Sequence, residues 1–260
     1  MENHKKYKIA IIVLSILVIA QALLLIHFWR LATRRLVKPV FIKGKIAIVL
    51  DDWGYNLKNL NLLEQINYPL TISVLPNLPY SGVIAQEEQK RGNEVILHLP
   101  MEPNEKYSLE KNTILVTMDE PTIITLINMD LANLGKVKGV SNHMGSKATD
   151  DIRTMSIVFK ELKKKGIYFL DSLVSPHSVC LDLAHKMHLS FAKRDIFIDN
   201  KQDPDYIKNQ LYKLKTRARV YGQVIAIGHG RKTTLEVLKE VMPQLEKEGY
   251  RFVFVSELAR

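Results

Sequence analysis

From Lys45 to the C-terminus, short β-branched runs alternate with longer amphipathic stretches, and this alternation constrains the fold more than any single motif. Strands joined through helices pair in parallel, because the crossover helix carries the chain back to the same end of the sheet. The spacing predicts strands at 45–51, 70–75, 94–99, 137–142, 167–171, 190–198, 223–228 and 250–255. Helices are expected near 56–66, 81–91, 120–134, 151–165, 176–188, 204–218 and 232–248. Asp119-Glu120-Pro121 and Asp203-Pro204-Asp205 read as helix starts, and Gly166 and Gly249 stand where helices should stop. Eight strands and seven helices favour an α/β fold of the distorted (β/α) barrel kind, with seven to eight strands, over an open doubly wound sheet. The one long irregular stretch, 101–118, is a candidate loop over an active site.

Ahead of the barrel, Ile9 to Trp29 runs for 21 residues without a formal charge. As a helix that is about 31 Å, enough to cross a bilayer core. A cleavable signal peptide competes, since Ala20-Gln21-Ala22 resembles a cleavage site. The apolar run continues past it through Leu23-Leu24-Leu25-Ile26 to Phe28-Trp29, which favours an anchor. The chain then divides into a tail (1–8), a transmembrane anchor (9–29), a basic linker (30–44) and a barrel domain (45–260). Lysines before the span and arginines after it leave orientation undecided by charge.

The formal charge of +10 suggests nucleic acid until it is divided along the chain. Residues 1–44 hold eight Lys and Arg against Glu2 alone, so most of the excess precedes the barrel. No basic stripe interleaved with aromatics remains, and a nucleic-acid partner is not expected. The single cysteine, Cys180, excludes an internal disulfide framework and a cysteine-rich zinc site. Any metal must be held by His, Asp or Glu.

In a parallel barrel the C-terminal strand ends share one rim, whatever their separation in sequence. Those ends read Asp51-Asp52, Pro76, His98, Asn142-His143, Asp171, Asp199 and His229. Adjacent carboxylates repel, but the repulsion is relieved if one binds a divalent cation and its neighbour stays ionised as a base. Imidazoles from His98 and His143 with one of these carboxylates make a three-ligand site, open to water, suited to a hydrolytic zinc or similar metal. Glu102 adds a further carboxylate four residues after His98, and Pro100 and Pro103 make that stretch a turn, not a helix. Whether Glu102 or His143 completes the site is open in the sequence.

The ordered segments "VLDDWG", "TISVLP", "GNEVILHLPMEP", "GVSNHMGS", "YFLDS" and "AIGHG" resemble the divergent polysaccharide deacetylases, a branch of the metal-dependent carbohydrate esterases. The resemblance covers about residues 45–258. It implies a deacetylase-like barrel acting on a glycan of the cell envelope, with the barrel outside the cytoplasm. It also implies Asp51 as general base, Asp52 and His98 as metal ligands, and His229 as the late histidine that assists the leaving group. Ordinary polysaccharide deacetylases carry a second histidine where this chain has Glu102, and their arginine and proline motif is replaced by Asn142-His143-Met144-Gly145.

The expected activity is removal of an acyl group from an amino sugar by hydrolysis of the amide bond. The alternative is a catalytically silent barrel that binds glycan or an envelope partner. Trp53 and Asn142 are candidate substrate contacts, with rim packing the competing role for Trp53. Asp171 is read as an additional ligand, as an orienting group behind the site, or as a loop cap. Arg194 and Asp195 interrupt an apolar strand as a candidate ion pair.

Overall fold

The computed structural model describes residues 2–33 and 42–260. Residues 34–41, most of the expected linker, lie outside the described residues. Two compact units are present, Met1–Phe41 and Ile42–Arg260. In the first, helix α1 (Glu2–Thr33) contains a 27-residue stretch, His4–Arg30, long and apolar enough to cross a membrane.

The second unit is built on nine parallel strands: β1 (Gly44–Trp53), β2 (Thr71–Val74), β3 (Glu94–Met101), β4 (Gly139–Met144), β5 (Tyr168–Asp171), β6 (Phe191–Lys193), β7 (Ile196–Phe197), β8 (Gln223–His229) and β9 (Tyr250–Phe252). Helices α2 (Leu60–Leu63), α3 (Ser81–Lys90), α4 (Glu120–Leu134), α5 (Ile152–Lys165), α6 (Cys180–Met187), α7 (Pro204–Tyr221) and α8 (Lys232–Lys247) fall between them. Sheet order is β6-β5-β4-β3-β2-β1-β8-β7, with β9 beside β1.

The two edge strands are consecutive in the chain. β6 pairs with β5 and β7 with β8, so residues 191–197 cross from one edge of the sheet to the other. At the crossing, Arg194 N–H donates to Asp171 O (2.9 Å) and Asp195 N–H to Ile225 O (2.9 Å). This curls the sheet into the expected barrel-like shape and breaks the strand expected at 190–198, because its two halves take different partners. Arg194 and Asp195 form no pair; the Asp195 carboxylate accepts Ile225 N–H (2.8 Å).

Side-chain alternation along each strand separates two apolar layers. Ile46, Ile48 and Leu50 of β1 pack outward with Ile72, Val74, Leu97, Val140 and Phe169 in the core shared with the helices. Ala47 and Val49 face inward with Ile96, Leu170, Ile225 and Ile227, and the C-terminal residues Val253, Val255 and Leu258 plug that interior. The inward parity continues to Asp51, Ser73, His98, Ser141, His143 and His229 at the other end. One mouth of the barrel is therefore sealed by apolar chain and the other is lined with polar groups.

The helix expected at 56–66 shrinks to one turn, Leu60–Leu63. Asn56 Oδ1 accepts Lys58 N–H (3.0 Å) and Asn59 Nδ2 donates to Gly230 O (2.7 Å), and these local and cross-chain bonds hold 54–59 as a loop.

Candidate metal centre and cleft

β1 reaches the rim through an irregularity in its pairing with β2 between Leu50 and Trp53. Asp52 there takes a left-handed backbone, φ +64°. A regular strand would send Asp51 inward and Asp52 outward; the bend brings both carboxylates to the same histidine. His98 Nε2 lies 3.7 Å from Asp51 Oδ2 and 3.3 Å from Asp52 Oδ1.

His143 Nδ1 approaches the same Asp52 oxygen at 3.1 Å, and the two imidazoles meet edge to face with centroids 4.9 Å apart. One donor atom from each of Asp52, His98 and His143 falls within 4.8 Å of the others. Behind His98, Nδ1 is 2.8 Å from Ser141 Oγ, which is 2.8 Å from Ser73 Oγ. This hydroxyl chain fixes the ring and leaves Nε2 toward the acids. On the other side His229 Nε2 stands 3.6 Å from Asp52 Oδ2.

The charges divide the two acids. Burial is the largest influence on Asp51 and raises its carboxyl above the usual range, against the attraction of His98. Burial also acts to raise Asp52, but hydrogen bonds from His143 and His98 outweigh it and hold Asp52 well below the usual range. Burial opposes the charged form of His98 and His229; nearby carboxylates, Asp51 for His98 and Asp199 for His229, reverse the balance and raise both.

The arrangement fits a divalent cation. Two adjacent acids converge on the buried His98, and two buried polar atoms in the cluster, Asp51 Oδ1 and His143 Nε2, have no hydrogen-bond partner among the described residues. Two imidazole nitrogens and one carboxylate are the donor set that zinc takes in hydrolytic sites.

Other expected site residues are placed elsewhere. Glu102 does not join the cluster: its carboxylate accepts Val116 N–H (2.7 Å) and pairs with Lys147 Nζ (2.6 Å), bracing the long loop. Asp171 falls on the outward parity of β5 and caps the following loop, accepting Leu173 N–H and the Ser178 hydroxyl, both at 2.7 Å. Asn142 is buried, and its amide bonds Met144 O (2.7 Å) and Ser172 N–H (2.8 Å), bracing the rim between β4 and β5. Trp53 lines the cleft but is only 4% exposed, packed against Gly230, which leaves no open ring face for a sugar.

Five residues beyond the expected site residues contribute, one of which, Asp199, is expected from the sequence only as a strand end on the rim. Ser73 and Ser141 carry a signal in the sequence, since each interrupts the apolar pattern of its strand, Ser73 between Ile72 and Val74 and Ser141 directly after Val140. Asp199 follows β7 and grips His229 from behind. Phe197 stacks parallel to His229 (centroids 6.4 Å apart, 10°), and the Arg194 guanidinium lies over the Phe197 ring, 3.8 Å from its centroid. Arg194 also donates to Ser172 O and Leu173 O, tying the barrel seam to the rim.

Comparison with known proteins agrees with this architecture. The uncharacterized protein YibQ of Escherichia coli K12 is 35% identical over 210 residues, 81% of this chain and 66% of YibQ, so the match spans just under two thirds of that relative. The crystal structure of an uncharacterized protein from Agrobacterium tumefaciens C58 superposes with a TM-score of 0.80 at 20% identity, covering 83% of this chain and 89% of that one. The peptidoglycan deacetylase PdaC of Bacillus subtilis, as a mutant, superposes at 0.51 with 16% identity, over 84% and 91% of the two chains. These structural likenesses establish a deacetylase-like fold. The divergent polysaccharide deacetylase family matches residues 48–259, nearly the whole barrel, and the chain belongs to that family.

Proposed function

We propose that the chain is a membrane-anchored, divalent-metal-dependent hydrolase that removes an acyl group from an amino sugar of an envelope glycan. The observation that carries this reading is the convergence of Asp52, His98 and His143 on one point of the rim, with Asp51 and His229 beside it. The three ligands would hold the cation, zinc being the best match to their donor set. When bound, the cation supplies Lewis-acid polarisation of the acyl carbonyl and acidifies water.

The chain's own groups do the proton work. Asp51, held beside the cluster by β1, takes the proton of the attacking water. Asp199 keeps one proton on His229 Nδ1, and the surrounding carboxylates favour the imidazolium, so that a second proton on Nε2 faces the site and passes to the departing amine. The apolar helix α1 would anchor the enzyme, with the barrel outside the cytoplasm facing its glycan.

Elemental analysis of the full chain, purified gently in detergent, tests the reading together with acetate release from envelope glycans. Near-stoichiometric divalent metal and chelator-sensitive release are expected. A metal-free, inactive preparation would overturn it in favour of a silent glycan-binding barrel. A phosphatase reporter joined through a linker after Arg260 should be active only with the barrel exported; activity of a cytoplasm-only reporter would overturn the topology.

A further inference from the structure

Beside the metal centre, on the His229 side, a cleft of about 220 Å³ opens between the β1–α2 loop and the start of α8. Its chemistry is that of a site for negative charge. Asp52, the one acid lining it, directs its two oxygens to His98, His143 and His229, so its charge is already met by imidazoles. The remaining lining is neutral or basic, with Arg231 at the turn into α8.

Three sets of donors converge there. α8 begins without a side-chain cap and has no acid in its first turn, and its first intrahelical bond is Leu235 N–H to Arg231 O (3.0 Å). The N–H groups of the residues between are left without a helical acceptor, at the positive end of a 16-residue helix. The Arg231 backbone N–H is spent on His229 O (2.7 Å), but its guanidinium donates once, to Asp199 O (3.2 Å), and has no carboxylate within ion-pair distance among the described residues. Independently of the helix, Trp53 is 96% buried, yet its indole N–H has no hydrogen-bond partner among the described residues.

The position of that orphan donor ties it to the cleft. A Cβ added at Gly230 would lie 2.5 and 2.6 Å from Trp53 Cζ2 and Cε2, so the indole edge that bears Nε1 borders the turn leading into α8. Only glycine allows this approach, and Asn59 holds the same residue's carbonyl from the opposite loop at 2.7 Å. A buried donor left unsatisfied costs about 1–3 kcal/mol, a cost that an incoming acceptor removes.

We propose that this cleft is an oxyanion subsite, which takes a carboxylate or phosphate-ester group carried by the glycan substrate and holds it on the Trp53 indole N–H, the Arg231 guanidinium and the first turn of α8. The subsite rests on the hydrolase reading for the identity of the molecule that carries the anion. It selects acidic amino sugars over neutral ones and places the acyl group toward Asp52 and His229.

The chain contains two tryptophans, so Trp29→Phe leaves Trp53 as the sole indole fluorophore. The metal-loaded full chain with that substitution is titrated with inorganic phosphate, N-acetylglucosamine 1-phosphate, the carboxylate-bearing N-acetylmuramic acid and neutral N-acetylglucosamine. At least one anionic sugar should perturb Trp53 emission and bind at least ~10-fold more tightly than the neutral sugar, the scale of a charge-assisted hydrogen bond. The tighter of the two sugars identifies carboxylate or phosphate as the group read. Arg231→Gln should remove the preference while metal content and melting temperature stay unchanged.

Equal affinity for neutral and anionic sugars, or an anion response untouched by Arg231→Gln, would overturn the subsite. Arg231-dependent anion binding by a protein without hydrolytic activity supports the subsite and removes only the hydrolase reading. Acetate release with no preference for acidic sugars does the reverse.

Discussion

Asp199 holds His229 at two points: Oδ1 lies 2.8 Å from the ring Nδ1, and Oδ2 accepts the backbone N–H of the same residue, also at 2.8 Å. Thr234 adds a hydroxyl to Oδ2 at 2.7 Å. Burial works against the charge on Asp199, but the bonds from His229 outweigh it and keep the carboxyl below the usual range. An ionised acceptor there requires the proton on Nδ1 and frees Nε2 for chemistry. Asp199→Asn should therefore reduce kcat by ~10²-fold with little change in KM or metal content. A change confined to KM would show that Asp199 does not position the acid.

The two neighbouring acids should separate cleanly. Asp52→Ala, His98→Ala and His143→Ala each remove one of three protein ligands and should lower bound metal. Asp51→Asn should keep the metal while hydrolysis falls by ~10²-fold or more, the scale of a lost general base. Elemental analysis beside acetate release reads both. An emptied site in Asp51→Asn with a filled one in Asp52→Ala would exchange the assignments.

Asp130 of α4 is completely buried, and burial pushes its carboxyl from 3.8 up to about 6, against a hydrogen bond from Asn77 Nδ2 at 2.7 Å. Between those two values the folded chain holds a proton that the unfolded chain has released. Stability contributed by this group thus falls as pH rises from about 4 to about 6 and stays lower above that. Asp130→Asn keeps an oxygen for Asn77 and removes the charge. It should melt higher than the parent at pH 7, by up to about 3 kcal/mol in stability, and lose that part of the pH dependence. A lower Tm at pH 7 would refute the assignment.

Gly139 opens β4 against the barrel interior, where an added Cβ would come within 2.3 to 2.6 Å of the Tyr168 ring. That ring has little room to retreat, because its hydroxyl bonds the buried Glu94 at 2.9 Å. Gly139→Ala should destabilise the fold by ~1–3 kcal/mol in denaturant unfolding, the usual scale of overpacking. Unchanged stability would mean that the interior yields more than this packing implies.

Much of the barrel is legible in residue order. Short apolar runs such as Ile46–Leu50 and its counterparts locate the strands, and Asp119-Glu120-Pro121 and Gly166 mark helix ends, because composition and local dihedral preference suffice for both. Parallel pairing then places His98, His143 and His229 at one rim. The face they take is not legible there, because EVILHL and QVIAIGH are apolar at both parities; the structure shows His98 sharing the interior face with Ile96 and His229 with Ile227.

What residue order leaves open depends on backbone bends and on partners distant in the chain. Asp51 and Asp52 face one histidine only because packing holds Asp52 in a left-handed conformation, which no residue pattern in Leu50–Trp53 encodes. His143 rather than Glu102 approaches Asp52 because the register of β4 on β3 sets His143 beside Pro100, while Glu102 is drawn to Lys147 and Val116 N–H. Asp199 reaches His229 only once residues 191–197 have crossed the seam. A strand's period follows from its own residues, but a bulge, a register and a closure are settled by the energy of the whole packed sheet, and the tertiary structure alone decides them.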